Sequence, residues 1–162
     1  MRADDAQQLL GVFGDPEVMR AFDRGPFDRP EMAAWVNRNL QHQDRYGFGL
    51  FVIVERATGE VIGDCGLERM ELDGVEETEL GYDLRSDRWG HGFATEAAAT
   101  VKDHALDRLG LHRVISLVRA GNERSSRVAE RIGMSFEREL VRGEIAYRLY
   151  AAMPASGRGS GA

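Results

Sequence analysis

The sequence predicts a mixed α/β domain, a mixed sheet with helices on both of its faces. Three observations carry that expectation. Apolar β-rich runs and helix-period runs succeed one another as a hairpin, a further strand, a helix, a strand, a helix and a closing strand pair. The central strand, helix and strand call for a right-handed crossover between parallel neighbours, whereas the hairpins call for antiparallel ones. A length of 162 residues suits one domain that buries about two thirds of its unfolded surface.

Asp4 or Asp5 can cap a first helix that runs to Phe13 and stops at Gly14. Asp15-Pro16 restarts a short helix to Phe22, with proline at the first helical position. Gly25-Pro26 breaks the chain, and Asp28 caps a helix over 29–45 in which Met32, Trp35, Val36 and Leu40 recur at helical spacing, the usual mark of a core-facing stripe. Gly47 ends it. Strands over 48–55 and 61–70 follow, joined by Thr58-Gly59, and Gly63 and Gly66 inside the second suggest a bulge or a close backbone approach. Asp73-Gly74 marks the next turn and 77–84 the next strand. A helix then runs to about Leu109, with Ala94, Ala97, Ala98, Val101, Ala105 and Leu109 on its inner face, small enough near its start for close approach to a sheet and to a ligand. Residues 112–119 form a strand, 125–132 a helix closed by Gly133, and 135–141 with 144–150 a last strand pair. The domain is expected to span 1–153, and the Gly/Ser/Ala-rich stretch 154–162 to be a flexible tail.

A net charge of −6 argues against a general nucleic-acid binder. Cys65, the one cysteine, cannot form an internal disulfide, and its neighbours supply no activating base, so it reads as a core residue. No leader and no apolar run of about 18 residues is visible, which points to the cytoplasm and away from membranes. His91 has no nearby sequence partner that suggests a metal site or a triad, and no metal is expected.

The stretch from Leu84 to Ala98, LRSDRWGHGFATEAA, carries the chemistry: a strand passes through a two-glycine turn into a small-residue helix. Glycines let successive N–H groups point into one concavity, and the helix adds unpaired donors and the positive end of its dipole, so a phosphate or pyrophosphate is the natural guest. A Walker loop is excluded, because one residue separates Gly90 from Gly92 and no lysine follows. A dinucleotide fingerprint is disfavoured by Thr95 where a third glycine belongs, and by Arg119 rather than an acid after the following strand.

Trp89-Gly90-His91-Gly92-Phe93-Ala94 resembles the pyrophosphate loop of the GNAT superfamily of acyl-CoA-dependent N-acetyltransferases, Arg/Gln-x-x-Gly-x-Gly/Ala, with Trp in the first slot. The flanking Glu79-Leu80-Gly81-Tyr82-Asp83-Leu84, Ala94-Thr95-Glu96-Ala97, Asn122 to Val128 and Arg131-Ile132-Gly133-Met134 are similar to the branch that contains the ribosomal-protein N-terminal acetyltransferases, with a weaker match at Asp15-Pro16-Glu17-Val18. The resemblance covers roughly 77–136. It implies a central mixed sheet whose two middle parallel strands splay apart, with acetyl-CoA between them. It also implies cofactor contacts from Leu84, Arg85, Trp89, Gly90, His91, Gly92, Phe93, Ala94, Thr95, Asn122 and Arg127, most of them through backbone amides.

Each of these residues also has a plainer reading. Gly90 and Gly92 could serve an ordinary tight turn, Trp89 could fill core, and Arg85, Arg88 and His91 could be solvated loop charges. Asn122 could be a helix cap, and Arg124, Arg127 and Arg131 a solvated face. Glu96, in the first turns of its helix, reads as favouring the dipole.

For catalysis the resemblance implies direct attack of a neutral amine on the thioester, with no metal and no covalent enzyme intermediate. Glu79, on the strand entering the loop, is the candidate base, against the alternative of an exposed strand charge. Ser125 is the candidate for protonating the leaving thiolate, with water as the alternative, because the position where many relatives carry a tyrosine is Ala129. The acceptor is an amine, either a protein N-terminus or a small molecule, and the acidic run Glu71, Asp73, Glu76, Glu77 and Glu79 could be a solvated hairpin or could attract a cationic acceptor. A non-catalytic acyl-CoA-sensing domain is the other reading. The family's first edge strand has no counterpart here, since only Met1-Arg2-Ala3 precedes Asp4. It is expected to be absent or to lie upstream, and a homodimer partner is one way to cover the edge left beside 48–55.

Overall fold

The structure is a computed structural model that describes residues 1–22 and 24–154. The expected tail lies outside the described residues apart from its first position, Pro154.

A single 3-10 turn, Ala3–Asp5, leads into α1 (Ala6–Phe13). The Asp5 carboxylate turns back to accept the Arg2 N–H at 2.6 Å rather than capping α1 with its side chain. Asp15 does cap α2 (Pro16–Met19), accepting from the Glu17 N–H. Asp28 and Glu31 form a reciprocal capping box on α3 (Arg29–Tyr46), which ends at Gly47 with φ 74°.

Six strands follow: β1 (Leu50–Val54), β2 (Val61–Leu72), β3 (Val75–Leu84), β4 (Val114–Arg119), β5 (Ser135–Arg142) and β6 (Ile145–Ala152). They form one sheet in the order β1-β2-β3-β4-β6-β5. Every pairing is antiparallel except β3 with β4. The β2/β3 hairpin is longer than the sequence reading because Asp73 and Gly74 both adopt positive φ, the primed two-residue turn that lets pairing continue to its base. Gly66 is a close-approach glycine: a Cβ there would run into the Gly49 carbonyl and the Leu50 backbone. The register shift opposite Ile53 and Val54 leaves Ile62 as an extra, unpaired residue on β2, a bulge beside Gly63.

Helices cover both faces. α4 (Phe93–Asp103) and α5 (Glu123–Arg131) pack through Ala98, Ala129 and Ile132 against Cys65, Leu67, Leu80, Val114 and Val118. On the other face α1, α2 and α3 enclose Leu9, Val12, Phe13, Met32 and Val36, with Phe13 edge-on to Phe22 and Phe27. The helix expected to run unbroken to Leu109 changes at His104 to a π-helical turn through Arg108 before Gly110 turns the chain toward β4.

Among the described residues no strand precedes α1, and β1 is an edge of the sheet with Phe51 and Val54 exposed on it.

The feature that creates the site is the one parallel pair. β3 and β4 are in register only at Glu79 and Ile115, so beyond that point the strands diverge toward Leu84 and Arg119. The Glu79 carboxylate accepts the Leu117 N–H at 3.3 Å, satisfying a backbone donor that the divergence would otherwise leave without a partner.

Candidate active site

A cavity of about 940 Å³ opens where β3 and β4 part. One wall is the end of β3 and the loop after it, with Tyr82, Asp83, Leu84, Trp89, Gly90, Gly92, Phe93, Ala94 and Thr95. The opposite wall runs from Arg119 through Asn122 and Ser125 to Val128, and Glu17, Val18, Arg20 and Ala21 of the α2 region close a third side.

The loop has the local geometry its glycines predict. Gly90 and Gly92 have φ of 79° and 87°, a region that side chains disfavour, and both α-carbons face open space. Gly92 is the N-cap of α4 and brings no side-chain oxygen, so the N–H groups of the first turn have no side-chain cap. The first bond inside the helix is Glu96 N–H to the Gly92 carbonyl. Trp89 is held by its indole N–H, which donates to the Leu84 carbonyl at 2.9 Å. The Arg124 guanidinium of α5 lies over the Trp89 ring, 3.5 Å from its centroid, and so joins the two walls across the mouth of the cleft. Six arginines line the cavity, Arg20, Arg88, Arg119, Arg124, Arg127 and Arg131, against the acids Glu17, Asp83 and Glu123. Such a lining favours an anionic guest.

On the other wall Asn122 caps α5, its Oδ1 accepting the Ser125 N–H at 3.3 Å. The Tyr82 hydroxyl reaches across the divergence and donates to the Ser125 carbonyl at 3.0 Å. Burial pushes the Tyr82 phenol above its ordinary range, so it stays protonated and remains a donor. Arg119 donates to the Arg20 and Phe22 carbonyls, fixing α2 against the end of β4.

The structure thus brings Leu84, Trp89, Gly90, Gly92, Phe93, Ala94, Thr95, Asn122, Ser125 and Arg127 to one cavity. It places three other sequence candidates off the cavity wall. The Arg85 guanidinium is engaged by Asp87 at 2.6 Å and Glu60 at 3.0 Å. His91 is exposed, and its Nδ1 lies 2.9 Å from the Trp89 carbonyl. Glu79 sits at the point of divergence, its carboxyl pushed up to about 7, chiefly by burial. Among the residues that sequence reasoning passed over, Tyr82 and Asp83 of β3 line the cavity, as do Glu17 and Arg20 of the α2 region. The signal for Asp83 was present, because strand alternation puts residue 83 on the same surface as Glu79.

Compared with known proteins, residues 1–135 match the acetyltransferase (GNAT) domain family. The chain belongs to that family and is by that membership an acetyltransferase. YkkB of Bacillus subtilis strain 168 is 33% identical over 141 residues, covering 86% of this chain and 81% of YkkB. The N-acetyltransferase p20 of Bacillus licheniformis is 31% identical over 140 residues, 86% of this chain and 77% of p20. RimJ of Mycobacterium smegmatis, solved in complex with CoA-disulfide, superposes with a TM-score of 0.77 over 95% of this chain and 79% of its own, at 24% identity, a likeness of fold.

Proposed function

We propose that the protein transfers acetyl from acetyl-CoA to a primary amine by direct attack in a ternary complex. The observation that carries this is the cavity at the β3/β4 divergence, bounded by a glycine cradle with uncapped N–H groups and lined by arginines. The fit to coenzyme A is chemical. Backbone donors from Gly90 to Thr95 suit a pyrophosphate, a Cβ at Gly90 or Gly92 would intrude on the open space beside them, and the narrow gap between two strands suits an extended pantetheine arm. Asn122 and Arg127 are the contacts expected from the far wall. The Arg124 guanidinium over Trp89, where the family motif has Arg or Gln, brings a cation back to the loop, within reach of a phosphate.

The reaction needs a polarised thioester, a carboxyl to receive the amine's proton and a donor for the departing sulfur. Ser125 or an ordered water serves as that donor. The carboxyls available are those of β3: Glu79, which the family pattern nominates and which would act through water from its place off the cavity wall, and Asp83. The acceptor is a protein N-terminus or a small amine. Neighbours of known structure include a ribosomal-protein-S5-alanine acetyltransferase from Vibrio fischeri, which makes an N-terminal α-amine one acceptor to test.

The test is to incubate the protein with acetyl-CoA and a panel of peptide N-termini, polyamines and aminoglycosides, following thiol release, with acetyl-CoA affinity measured by calorimetry. Amine-dependent thiol release supports the proposal. Tight acetyl-CoA binding with no turnover on any amine would instead support a sensing domain.

A further inference from the structure

The β2/β3 hairpin holds an arrangement of acids that hairpin stability alone does not call for. In its register Asp64 faces Asp83, Gly66 faces Gly81 and Glu68 faces Glu79. Their chain neighbours Cys65, Leu67, Leu80 and Tyr82 point into the core under α4 and α5, so strand alternation puts these six on the opposite surface, the one that α1 and α3 cover. Two pairs of carboxyls therefore stand directly opposite one another, on either side of a glycine pair with no side chains. Like charges so placed destabilise a sheet.

Asp64 is 0% exposed, and neither of its carboxyl oxygens has a hydrogen-bond partner. Its cross-strand neighbour Asp83 opens onto the cavity. Among the described residues no arginine or lysine forms a salt bridge with either. A buried carboxylate without a partner costs several kcal/mol, so the pair must hold a proton or meet a cation. The cavity is the path by which a cation can reach it.

We propose that Asp83, backed by Asp64, is the docking point for the acceptor's primary ammonium group and takes its proton. This rests on the reading of the cleft as an N-acetyltransferase site and names one step within it. An ammonium R–NH3+ gives one proton to the ionised Asp83 carboxylate, leaving R–NH2 with a free lone pair and a neutral carboxyl beside Asp64. The nitrogen forms its bond to the thioester carbonyl carbon, the C–S bond breaks with its electron pair passing to sulfur, and the second proton leaving nitrogen ends on that sulfur. The products are the N-alkyl acetamide and free thiol, and Asp83 returns its proton to water. Asp64 is a positioning residue that acts through Asp83.

The surroundings agree. Burial and then the Glu68 charge push Asp83 up to about 7, and Asp64 rises well above its ordinary range through burial, Asp83 and Glu68. Two carboxyls set opposite one another in register resist ionising together, and a base that titrates near neutrality suits an amine substrate. Glu68 of β2 acts on both carboxyls and Asp83 in turn acts on Glu79 of β3, while Glu17 and Arg20 of the α2 region and Arg119 of β4 share the cavity lining with Asp83. From α3 the charged groups on this face are His42 and Arg38, whose effect falls on Glu68, and α1 presents the apolar Leu9, Val12 and Phe13. Glu79, four residues or roughly 13 Å along the strand, is tied to the Leu117 N–H and acts by holding β4 in place.

The experiment uses the full chain with carboxyl-13C aspartate, its Asp64 and Asp83 resonances assigned from Asp64→Asn and Asp83→Asn variants whose fold is checked by circular dichroism. The expected result is an Asp83 midpoint near neutral pH that falls by at least about one unit, a tenfold preference for the ionised form, as n-butylammonium chloride saturates. In Asp64→Asn the midpoint is expected to fall even without amine, which packing alone would not produce. On whichever panel amine reacts fastest, Asp83→Asn is expected to lower kcat by roughly 10²-fold or more at neutral pH and to recover at alkaline pH, with acetyl-CoA affinity within threefold. An Asp83 midpoint below about 5, a midpoint indifferent to butylammonium, or an Asp83→Asn variant with undiminished turnover would each overturn the proposal. Failure to bind acetyl-CoA, with the butylammonium response intact, would instead overturn the reading of the cleft.

Discussion

At the scale of single residues, the glycine loop and the α5 cap make separable predictions. Gly92→Glu places a side chain at φ 87° and a negative charge in the cradle. A lost charge-assisted hydrogen bond is worth about 1.5 to 3 kcal/mol, so acetyl-CoA affinity is expected to fall at least roughly tenfold. Calorimetry of the folded variant measures it, and unchanged affinity would remove this loop from the binding site. Ser125 has its backbone engaged on both sides, by Asn122 Oδ1 at its N–H and by the Tyr82 hydroxyl at its carbonyl, which leaves its hydroxyl as the group to test. If that hydroxyl protonates the thiolate, Ser125→Ala lowers turnover and leaves acetyl-CoA affinity almost unchanged, the mark of a contact made only in the transition state. Equal losses in affinity would make Ser125 a cofactor contact, and full activity would pass the proton to water.

At the scale of elements, the two glycines that face each other across β2 and β3 differ in what lies above them. A Cβ on Gly66 meets the Gly49 carbonyl and the Leu50 backbone, which cannot move without shifting β1, whereas on Gly81 it would meet only the Leu50 Cδ2 methyl at 4.0 Å. Gly66→Ala is therefore expected to lower stability by about 2 kcal/mol or more, and Gly81→Ala to be near neutral in stability. Urea denaturation of the two variants makes the comparison, and similar midpoints would show that β1 yields more readily than this geometry implies. Gly81→Ala also adds a methyl between the carboxyl pairs, so a loss of amine turnover without a loss of stability would place the acceptor over that glycine. The same hairpin shows why the sequence reading ended its strands early. Glu71, Glu76 and Glu77 crowd acidic residues toward the tip, and the alternation of Met70 and Leu72 there is too short to mark a strand end, so only the pairing of Leu72 with Val75 shows how far the ladder extends.

For the whole molecule, the buried acids set the sign of the pH dependence. Glu79 has a folded pKa of about 7 against 4.5 for the free group. Between those values the native state keeps a proton that the unfolded chain releases. Its contribution is therefore complete below the unfolded pKa and lost as pH rises through the folded one, by an amount on the order of 3 kcal/mol. Asp83, also pushed up to about 7, acts in the same direction. The acids whose pKa is lowered, Asp15, Glu31, Asp87 and Glu137, act oppositely, and their contribution disappears below about pH 4. These groups lie at the surface, where solvent screens them. Thermal stability is thus expected to rise as pH falls from about 8 to about 5.5, and Glu79→Gln to flatten that slope. A midpoint indifferent to pH over this range would mean that water reaches these carboxyls freely.

What the sequence determined by itself was whatever chemistry is local along the chain. Gly90 and Gly92 need positive φ, Asn122 needs a helix to cap, and the alternation and turn residues of the hairpins need antiparallel pairing, so the mixed sheet, the helices on both faces and the cradle were legible in order. Only the tertiary structure decided how far β3 and β4 stay together, because a parallel register is set between strands some 30 residues apart in sequence and leaves no turn between them to read. It decided also that Arg124 lies over Trp89 and that Arg85 turns away to Glu60 and Asp87. Most of all it decided the surroundings of the acids. In the sequence Asp64 and Asp83 are two carboxylates among 27 acidic residues, and only the register of the hairpin puts one behind the other, with water excluded from the inner one and the cavity open to the outer.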